Sequence, residues 1–303
     1  MAYAISSIGS MAALVTFIQD TCVANGWTLS GNILYKDTAY VEIIADGTVG
    51  VKITGGTGHA AGALTGASTQ SAYFGTHSGI TVTFPLSVEI NINTSPDEIY
   101  VVINYATNYY GLIAWGISDV PGLPGTGNWY HAVRTATQGS DQFYILEGGV
   151  SYGTNYGGHI DGTAMFCGYS GSGSTWSGGV NNTFIHDDLD GGGWHNGDGS
   201  WPSAFAYQSP LLADTPSLWN GEAVLVPYSV YFPRASNKHS LVADLGHIRL
   251  LRIDNHAPGD TITLGSDQWK IYPFFCKNTV ERNGGATKQH SGTFGYAVRY
   301  TGT

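Results

Sequence analysis

The stretch HDDLDGGGWHNGDGSW, residues 186–201, contains the side chains of this chain that are best suited to chemistry. Read as a calcium-binding EF-hand loop that starts at Asp188, it has glycines at one ligand position and in place of the final glutamate. A zinc site built from His186 and His195 would need further ligands, which the sequence does not place nearby. The pattern therefore favours an Asx-rich surface loop, used for packing or for contact with a neighbouring subunit.

Two other segments match the sequence pattern of a catalytic or nucleotide-binding site but lack the secondary structure that such a site requires. GGVSYG matches the G-x-S-x-G pattern around Ser151, but the following YGTNYGGHIDG does not favour the helix that a nucleophile elbow requires. GGTGHAAG has Ala61 in place of the third glycine of a dinucleotide-binding loop, and a poor helix-forming segment follows it. The 22 acidic residues include no pair marked out as glycosidase carboxylates. We therefore predict no enzyme activity, no cofactor and no metal.

Four tryptophans in the glycine-rich middle of the chain are the candidate glycan or subunit contacts. They are Trp176, Trp194, Trp201 and Trp219. Exposed indole rings would stack on sugars, whereas buried rings would belong to a core or to a subunit interface. Burial is favoured, because tryptophan is large and apolar and is enriched at interfaces.

The composition of the 303-residue chain indicates a β-rich protein with many tight turns. Charged residues make up 11%, less than half of the usual share of about 25%, and there are 43 glycines. The hydrophobic share of 42% is enough to bury a core. A formal charge of −10 without a basic run argues against binding to nucleic acid or to an anionic membrane surface. No apolar stretch approaches the ~20 residues of a membrane span.

The cysteines give no sign of a redox or metal motif. Cys22, Cys167 and Cys276 are far apart and include no C-x-x-C pair. This usage is typical of unpaired thiols in a protein made in a reducing cytosol. The first residues lack the cationic start of a secretory signal, so we expect them to stay on the folded protein.

One helix is predicted near the start of the chain. Its single apolar stripe is formed by residues at helical spacing, namely Ile8, Met11, Val15, Ile18 and Cys22. Ser6 or Ser7 would cap its beginning, and Asn25-Gly26 would end it. A helix with one apolar stripe is expected to pack on a sheet.

Alternating apolar segments after this helix predict antiparallel strands. ITVTFPLSVEINI alternates well, and the two apolar runs of PDEIYVVINYATNYYGLIAWGI are joined by a hairpin at 104–108. The fold class is therefore mainly β with one N-terminal helix, an α+β arrangement of antiparallel, sandwich-like sheets. Residues 1–120 are expected to form a helix-on-sheet module and residues 121–303 a β domain rich in glycine and aromatic residues. A single continuous domain that crosses this boundary is the alternative.

The last predicted strand lies in HSGTFGYAVRYTGT. Its large side chains, Phe294, Tyr296, Val298 and Tyr300, alternate with the smaller Gly295 and Ala297 and with Arg299. We expect the large face to be buried, each covered ring contributing roughly 2–3 kcal/mol.

Both ends of the chain resemble a known family. GEAVLVPYSVYFPR, IRLLRIDNHAPGDTITLGSDQWKIYPFFCKN and HSGTFGYAVRYTGT are similar to the end of a family of virion structural proteins from tailed bacteriophages. The helix that ends in NGW and the later PDEIYVVINYATNYYGLIAWG resemble the same family. In WKIYPFF, Tyr272 stands where the family usually has phenylalanine.

The resemblance implies a structural component of a phage tail or baseplate. Such a subunit would be made in the cytoplasm of the bacterial host, form a homo-oligomer and assemble with other virion proteins into a symmetric particle. It would act through protein–protein contacts and catalyse nothing. Two other classes stay open: an adhesin whose Trp- and Tyr-rich loops bind a host glycan, and a hydrolase of cell wall or capsule, which no motif supports.

Overall fold

In the residues that it describes, the computed structural model shows a mainly β chain with one α-helix and several antiparallel sheets, which confirms the predicted fold class. It describes residues 1–47, 50–76, 81–132, 134–135, 165–166, 183–196, 215, 222–234, 238–274, 276–278 and 294–302. Among these residues, the one parallel pairing joins two short strand segments near residues 75 and 134.

The elements follow one another along the chain. The helix, α1, spans Met11–Ala24. The strands of the described residues are β1 (Ala2–Ile8), β2 (Thr28–Ser30), β3 (Ile33–Lys36), β4 (Ala39–Asp46), β5 (Gly50–Gly56), β6 (Gly58–Ala60), β7 (Ala63–Thr65), β8 (Ala72–Thr76), β9 (Leu86–Asn93), β10 (Glu98–Ala106), β11 (Tyr109–Ile117), β12 (Asn128–Ala132), β13 (Arg134–Thr135), β14 (Thr183–His186), β15 (Trp194–Asn196), β16 (Val226–Arg234), β17 (Lys238–Arg252), β18 (Thr261–Leu264), β19 (Asp267–Pro273) and β20 (Phe294–Tyr300).

Three larger sheets and a small ribbon organise these strands. The central sheet has the order β1-β9-β10-β11-β12-β14-β15, and the six-stranded sheet has the order β13-β8-β5-β4-β3-β2. The C-terminal sheet has the order β16-β17-β20-β19-β18, and β6 and β7 form the ribbon. The central sheet lies between the other two, because its buried side chains belong to two different core clusters. The first core is shared with the helix and the six-stranded sheet, and the second core is shared with the C-terminal sheet.

The helix ends where the sequence predicted, and its buried stripe faces the first core. Gly26 has a φ of 89°, a conformation that favours glycine, and the Trp27 amide donates to the Cys22 carbonyl at 3.1 Å. The stripe consists of Met11, Leu14, Val15, Ile18 and Cys22. It packs with the six-stranded sheet and with one face of the central sheet.

The predicted start of the helix was wrong. Ile8 and the two serines before it belong to β1, which pairs with β9 from Ala2↔Ile92 to Ile8↔Leu86. Ser10 caps the helix instead, since its hydroxyl accepts the Ala13 amide at 3.1 Å. Residues 2–8 form a strand because all of them pair with β9. This pairing is a tertiary contact, which local periodicity does not reveal.

The strands β10 and β11 in the middle of the central sheet are nearly continuous apolar runs, because both of their faces are buried. On β10, Ile99 and Val101 point to the core shared with the helix, whereas Tyr100 and Val102 point to the C-terminal sheet. Successive strand residues face opposite sides, so a strand covered on both sides reads as a continuous apolar run. The hairpin predicted at 104–108 is confirmed, with Asn108 at a φ of 66° in its turn.

The C-terminal sheet confirms the expected last strand. β20 lies between β17 and β19, and Phe294, Tyr296 and Val298 are buried in the second core. Tyr300 is half-buried and meets the ring of Tyr3 edge-on at 4.8 Å. The smaller face also packs, because Ala297 belongs to a third cluster on the outer side of this sheet.

The predicted division near residue 120 stays a prediction. β12, β14 and β15 extend the central sheet beyond that point, and the second core takes residues from both of the predicted parts. Of the described helical structure, nothing is long and apolar enough to cross a membrane.

Candidate functional site

The described part of the 186–201 motif, residues 186–196, lies in a β-hairpin. β14 and β15 pair in the register His186↔Trp194 and Ile185↔His195, and the residues between them make a tight turn. Asp188 and Asp190 adopt left-handed conformations there, with φ values of 51° and 54°. Residues 197–201 lie outside the described residues. The hairpin packs against the protein through both of its strands, so it is more than a surface loop.

A buried Asp–His pair joins this hairpin to the C-terminal sheet. Asp187 is fully buried, and one of its carboxylate oxygens lies 2.6 Å from Nδ1 of His195 and accepts the Leu189 amide at 3.0 Å. The imidazole stacks on Phe232 of β16, with ring centroids 4.1 Å apart. Its other nitrogen faces Gly192, where a Cβ would stand 2.2 Å from Nε2. The pair has the form of a general base and its orienting acid, but it is closed in by its own turn.

The remaining acids of the turn do not assemble a metal site. The Asp188 carboxylate accepts the Gly193 amide at 3.0 Å, a bond within the turn. Asp190 forms an ion pair with Arg234 on the surface, and this hydrogen bond lowers the pKa of the aspartate. In the described ranges, no group of three or more His, Cys, Asp or Glu side chains is placed to hold a metal ion.

A second loop closes over the hairpin from the N-terminal side. The Thr126 amide donates to Nδ1 of His186 at 2.9 Å, and the Gly125 amide donates to the Asp187 carbonyl at 2.9 Å. A Cβ on Gly125 would stand 2.2 Å from the His186 carbonyl oxygen, so glycine is required at this approach. Burial lowers the pKa of His186, which favours the neutral ring that accepts the amide.

Trp194 is packed between the central and six-stranded sheets. Its Nε1 donates to the Gly66 carbonyl at 3.1 Å, and its ring meets Tyr130 edge-on at 5.5 Å. A Cβ on Gly55 would stand 2.6 Å from the indole, so that glycine makes room for it. The indole keeps only a partly open edge for contact with other molecules. The other three candidate tryptophans, Trp176, Trp201 and Trp219, lie outside the described residues.

A cluster around Glu89, which the sequence motifs do not predict, joins the central and C-terminal sheets. We call it the Glu89 cluster; its members are Tyr3, Glu89, Lys270 and Tyr272. One Glu89 carboxylate oxygen accepts the Tyr3 hydroxyl at 2.6 Å and the Tyr272 hydroxyl at 2.8 Å. The Lys270 ammonium donates to the same oxygen, and to the Tyr3 hydroxyl at 3.1 Å.

The surroundings of the Glu89 cluster keep Tyr3, Tyr272 and Lys270 protonated. Burial and the hydrogen bond to Glu89 raise the pKa of Tyr3 to about 12, and burial raises that of Tyr272 well above its usual value. Burial lowers the pKa of Lys270, but its hydrogen bonds to Glu89 and Tyr3 outweigh this, so the pKa is raised. A tyrosine that keeps its proton is a poor base, and a protonated lysine is no nucleophile. The cluster is suited to fastening two sheets.

A second carboxylate links the same two sheets. Glu98 is fully buried at the start of β10, and its carboxylate accepts the amides of Gly246 and His247, both at 2.9 Å. The Tyr100 hydroxyl donates to it at 2.8 Å. These two amides belong to an irregularity of β17, where the register with β16 shifts between Pro227 and Tyr228. We call this contact the Glu98 joint.

Burial shifts the pKa of Glu98 and that of the His247 imidazole beside the Glu98 joint. Burial raises the pKa of Glu98 to about 7, although the Tyr100 hydroxyl and the two amides lower it in part. Burial lowers the pKa of His247 to about 4, and the nearby Arg299 lowers it further. Perturbed carboxylates and histidines also occur in active sites, but here the donors around the carboxylate are two main-chain amides and one tyrosine of the same chain.

Aromatic side chains also gather on the outer side of the six-stranded sheet. Tyr35 and Tyr40 stack with an interplanar angle of 10°, and the ring of His59 from the ribbon lies 4.5 Å from that of Tyr35. All three are partly exposed. On the C-terminal sheet, a shallow cleft of about 560 Å³ is lined mainly by apolar residues, including Val224 and Leu264.

The remaining candidate segments and the cysteines show no sign of a catalytic or nucleotide-binding site in the described residues. GGTGHAAG forms the end of β5 and the turn of the ribbon, with Ala61 at a φ of 52°, and no helix follows it. Ser151 and Cys167 lie outside the described residues. Cys22 and Cys276 are buried, and burial raises the pKa of the Cys22 thiol.

Comparison with protein-family models gives no match for this chain, and comparison with curated proteins gives none.

Proposed function

We propose that the chain is a structural subunit of the tail or baseplate of a tailed bacteriophage, acting through contacts with other proteins and without catalysis. One observation carries the proposal. Of the acids whose burial and partners look most like those of an active site, Glu89 and Glu98 bond directly across the central and C-terminal sheets. The third, Asp187, holds His195, whose ring stacks on Phe232 of the C-terminal sheet. The resemblance of both chain ends to virion structural proteins points to the same role.

Such links suit a subunit that must keep its shape in a particle. A buried carboxylate adds little net stability compared with an apolar side chain, but removing its partners leaves costly unpaired groups. It therefore favours one arrangement of the two sheets over others. In a repeating assembly, small errors of shape accumulate from copy to copy, so fixed geometry is useful there.

The direct test is the location of the chain. Mass spectrometry of purified particles of the phage that encodes it is expected to detect the chain in stoichiometric amounts. Cryo-electron microscopy is expected to place its three-sheet density in the tail. Absence from purified particles, or turnover of a host polysaccharide by the purified protein, would contradict the proposal.

A second candidate function, glycan recognition by an adhesin, is favoured by the aromatic surface group. Partly exposed aromatic rings such as those of Tyr35 and Tyr40 offer stacking faces to a sugar. Saturation-transfer NMR with host polysaccharide fragments tests it. A signal that is lost in Tyr35→Ala and Tyr40→Ala but kept in Phe84→Ala, an exposed aromatic control elsewhere, would support adhesion.

A further inference from the structure

Six strands form the edges of the three larger sheets in the described chain, and five of them are short or interrupted. β2, β13 and β15 have two or three residues each, and β18 has four. β16 has nine residues, but it contains Pro227 and Pro233 and two register shifts against β17. Short strands, prolines and bulges are the usual means by which proteins prevent an edge from pairing with another chain.

The sixth edge strand, β1, has none of these features. It runs for seven residues, AYAISSI, without proline, glycine or charge, and it pairs without a register shift with β9 alone among the described strands. Ile5 at its middle is 60% exposed, the most exposed of the large hydrophobic side chains in the described chain. An uninterrupted, uncharged edge with an exposed apolar side chain is a template for a further strand.

The strand is also held ready for pairing. The Tyr3 hydroxyl is fixed by Glu89 and Lys270, and Ile8 is buried in the first core. A strand that is already ordered loses little conformational entropy when a partner adds to it.

We propose that β1 is an interface strand that pairs antiparallel with β1 of a second copy of this chain, joining two central sheets into one. Antiparallel pairing about a two-fold axis lets one strand serve both partners. With the axis at Ile5, the two Ile5 side chains meet, and Tyr3 stands opposite Ser7 of the second copy. The strand has no charge, so this contact brings no like charges together despite the net charge of −10. This proposal rests on the proposed function in one respect: the β1–β1 pairing would be one of the contacts between copies of a structural subunit.

The test uses the purified full chain in sedimentation equilibrium. The wild type is expected to be a dimer. Ile5→Lys places two ammonium groups at the axis and removes apolar contact, so the dissociation constant is expected to rise by about tenfold or more. Leu264→Lys is the matched control, because Leu264 is 59% exposed on another edge strand, β18. It is expected to leave the dissociation constant unchanged.

Cross-linking gives a second measurement that does not depend on a destabilising charge. Cross-strand neighbours lie within reach of a disulfide, so Ile5→Cys is expected to form a covalent dimer on mild oxidation, and Leu264→Cys is not. A monomeric wild type would overturn the pairing, as would a dimer that resists Ile5→Lys or equal cross-linking of the two cysteine variants. None of these results would contradict the proposed function, which is tested by the location of the chain in particles.

Discussion

The two faces of the central sheet are built on different principles. The face toward the helix and the six-stranded sheet is almost wholly apolar, with side chains such as Val101, Ile103 and Trp115, and Asn128 is a rare polar group on it. The face toward the C-terminal sheet also buries apolar side chains, but it carries the Glu89 cluster and the Glu98 joint among them.

The two faces are expected to contribute differently to the stability of the fold and to the relative position of its sheets. Apolar burial stabilises a layer roughly in proportion to the area that is removed from water and tolerates small shifts of register. Buried hydrogen-bonded acids require particular partners at particular positions, so they fix how the C-terminal sheet sits. The apolar face is therefore expected to supply most of the stability, and the polar face to fix the geometry.

The largest expected effect comes from removing the strand on which the polar face depends. Deleting residues 294–303 removes β20 from the middle of its sheet and leaves β16–β17 and β18–β19 as separate pairs. It also removes the rings of Phe294 and Tyr296, each contributing roughly 2–3 kcal/mol. We expect insoluble protein on expression, whereas a chain that lacks only residues 301–303 stays soluble. A soluble, cooperatively melting protein without β20 would contradict this account.

The next largest effect is expected at the Glu98 joint. Glu98→Ala leaves two main-chain amides and the Tyr100 hydroxyl without their acceptor. Each buried, unpaired donor costs about 1–3 kcal/mol, so the free energy of unfolding is expected to fall by on the order of 3–5 kcal/mol. Urea denaturation at pH 7 measures it. A loss that is no larger than that of an exposed substitution such as Leu264→Ala would show that the joint is not a specific link.

Glu98 and His247 are expected to have opposite effects on how the free energy of unfolding depends on pH. Glu98 has a pKa of about 7 in the folded protein against an ordinary 4.5, so the folded state holds the extra proton between these values. The free energy of unfolding then falls as pH rises through this range, by up to about 1.4 kcal/mol per unit. His247, at about 4 against an ordinary 6.5, has the reverse effect between pH 4 and 6.5, because there the unfolded chain holds the proton.

In the wild type these two contributions are expected to oppose each other between about pH 4.5 and 6.5. Glu98→Gln removes one of them, so its unfolding free energy is expected to rise with pH from 4 to 6.5. His247→Asn removes the other, so its unfolding free energy is expected to fall with pH from 4.5 to 7. Denaturation of all three proteins in steps of pH measures the profiles. Parallel profiles in the two variants would contradict the assignment.

A polar group on the apolar face gives a smaller effect. The Asn128 side-chain amide donates to the carbonyls of Tyr40 and Gly56 at 2.9 and 3.0 Å, linking the central and six-stranded sheets. Asn128→Ala is expected to lower the free energy of unfolding by about 1–3 kcal/mol, less than Glu98→Ala, because no charge and fewer donors are involved. Thermal and urea unfolding of both variants in parallel measure the order. The reverse order would break the distinction between the two faces.

The sequence predicted the parts of this fold that depend on local periodicity. The buried stripe of α1, the hairpin before Tyr109 and the buried face of β20 all follow from spacings within a few residues. The strand β1 was missed because its pattern is weak by itself and its order comes from β9, about 80 residues later in the chain.

The Glu89 cluster and the Glu98 joint could not be predicted from local sequence patterns either, because their partners are far apart in the chain. Glu98 bonds to an amide 148 residues away, and Glu89 meets Lys270 across 181 residues. One signal was present: each is a carboxylate in or beside an apolar strand of a chain with few charges. A charge at such a position is costly unless it has partners, so it marks a buried link, but it does not name the other side.

The smallest effect is expected at the surface of the hairpin, where two acids of one turn can be compared. Asp190 pairs with Arg234, but the two side chains are 47% and 40% exposed, and solvent and salt screen such pairs. Asp190→Asn is therefore expected to leave the melting temperature unchanged at physiological salt. Asp187→Asn, in the same turn, is expected to lower it, because that buried carboxylate holds His195 and the Leu189 amide. Differential scanning calorimetry of both variants at low and high salt measures this, and equal losses would mean that burial does not decide which acids of the hairpin matter.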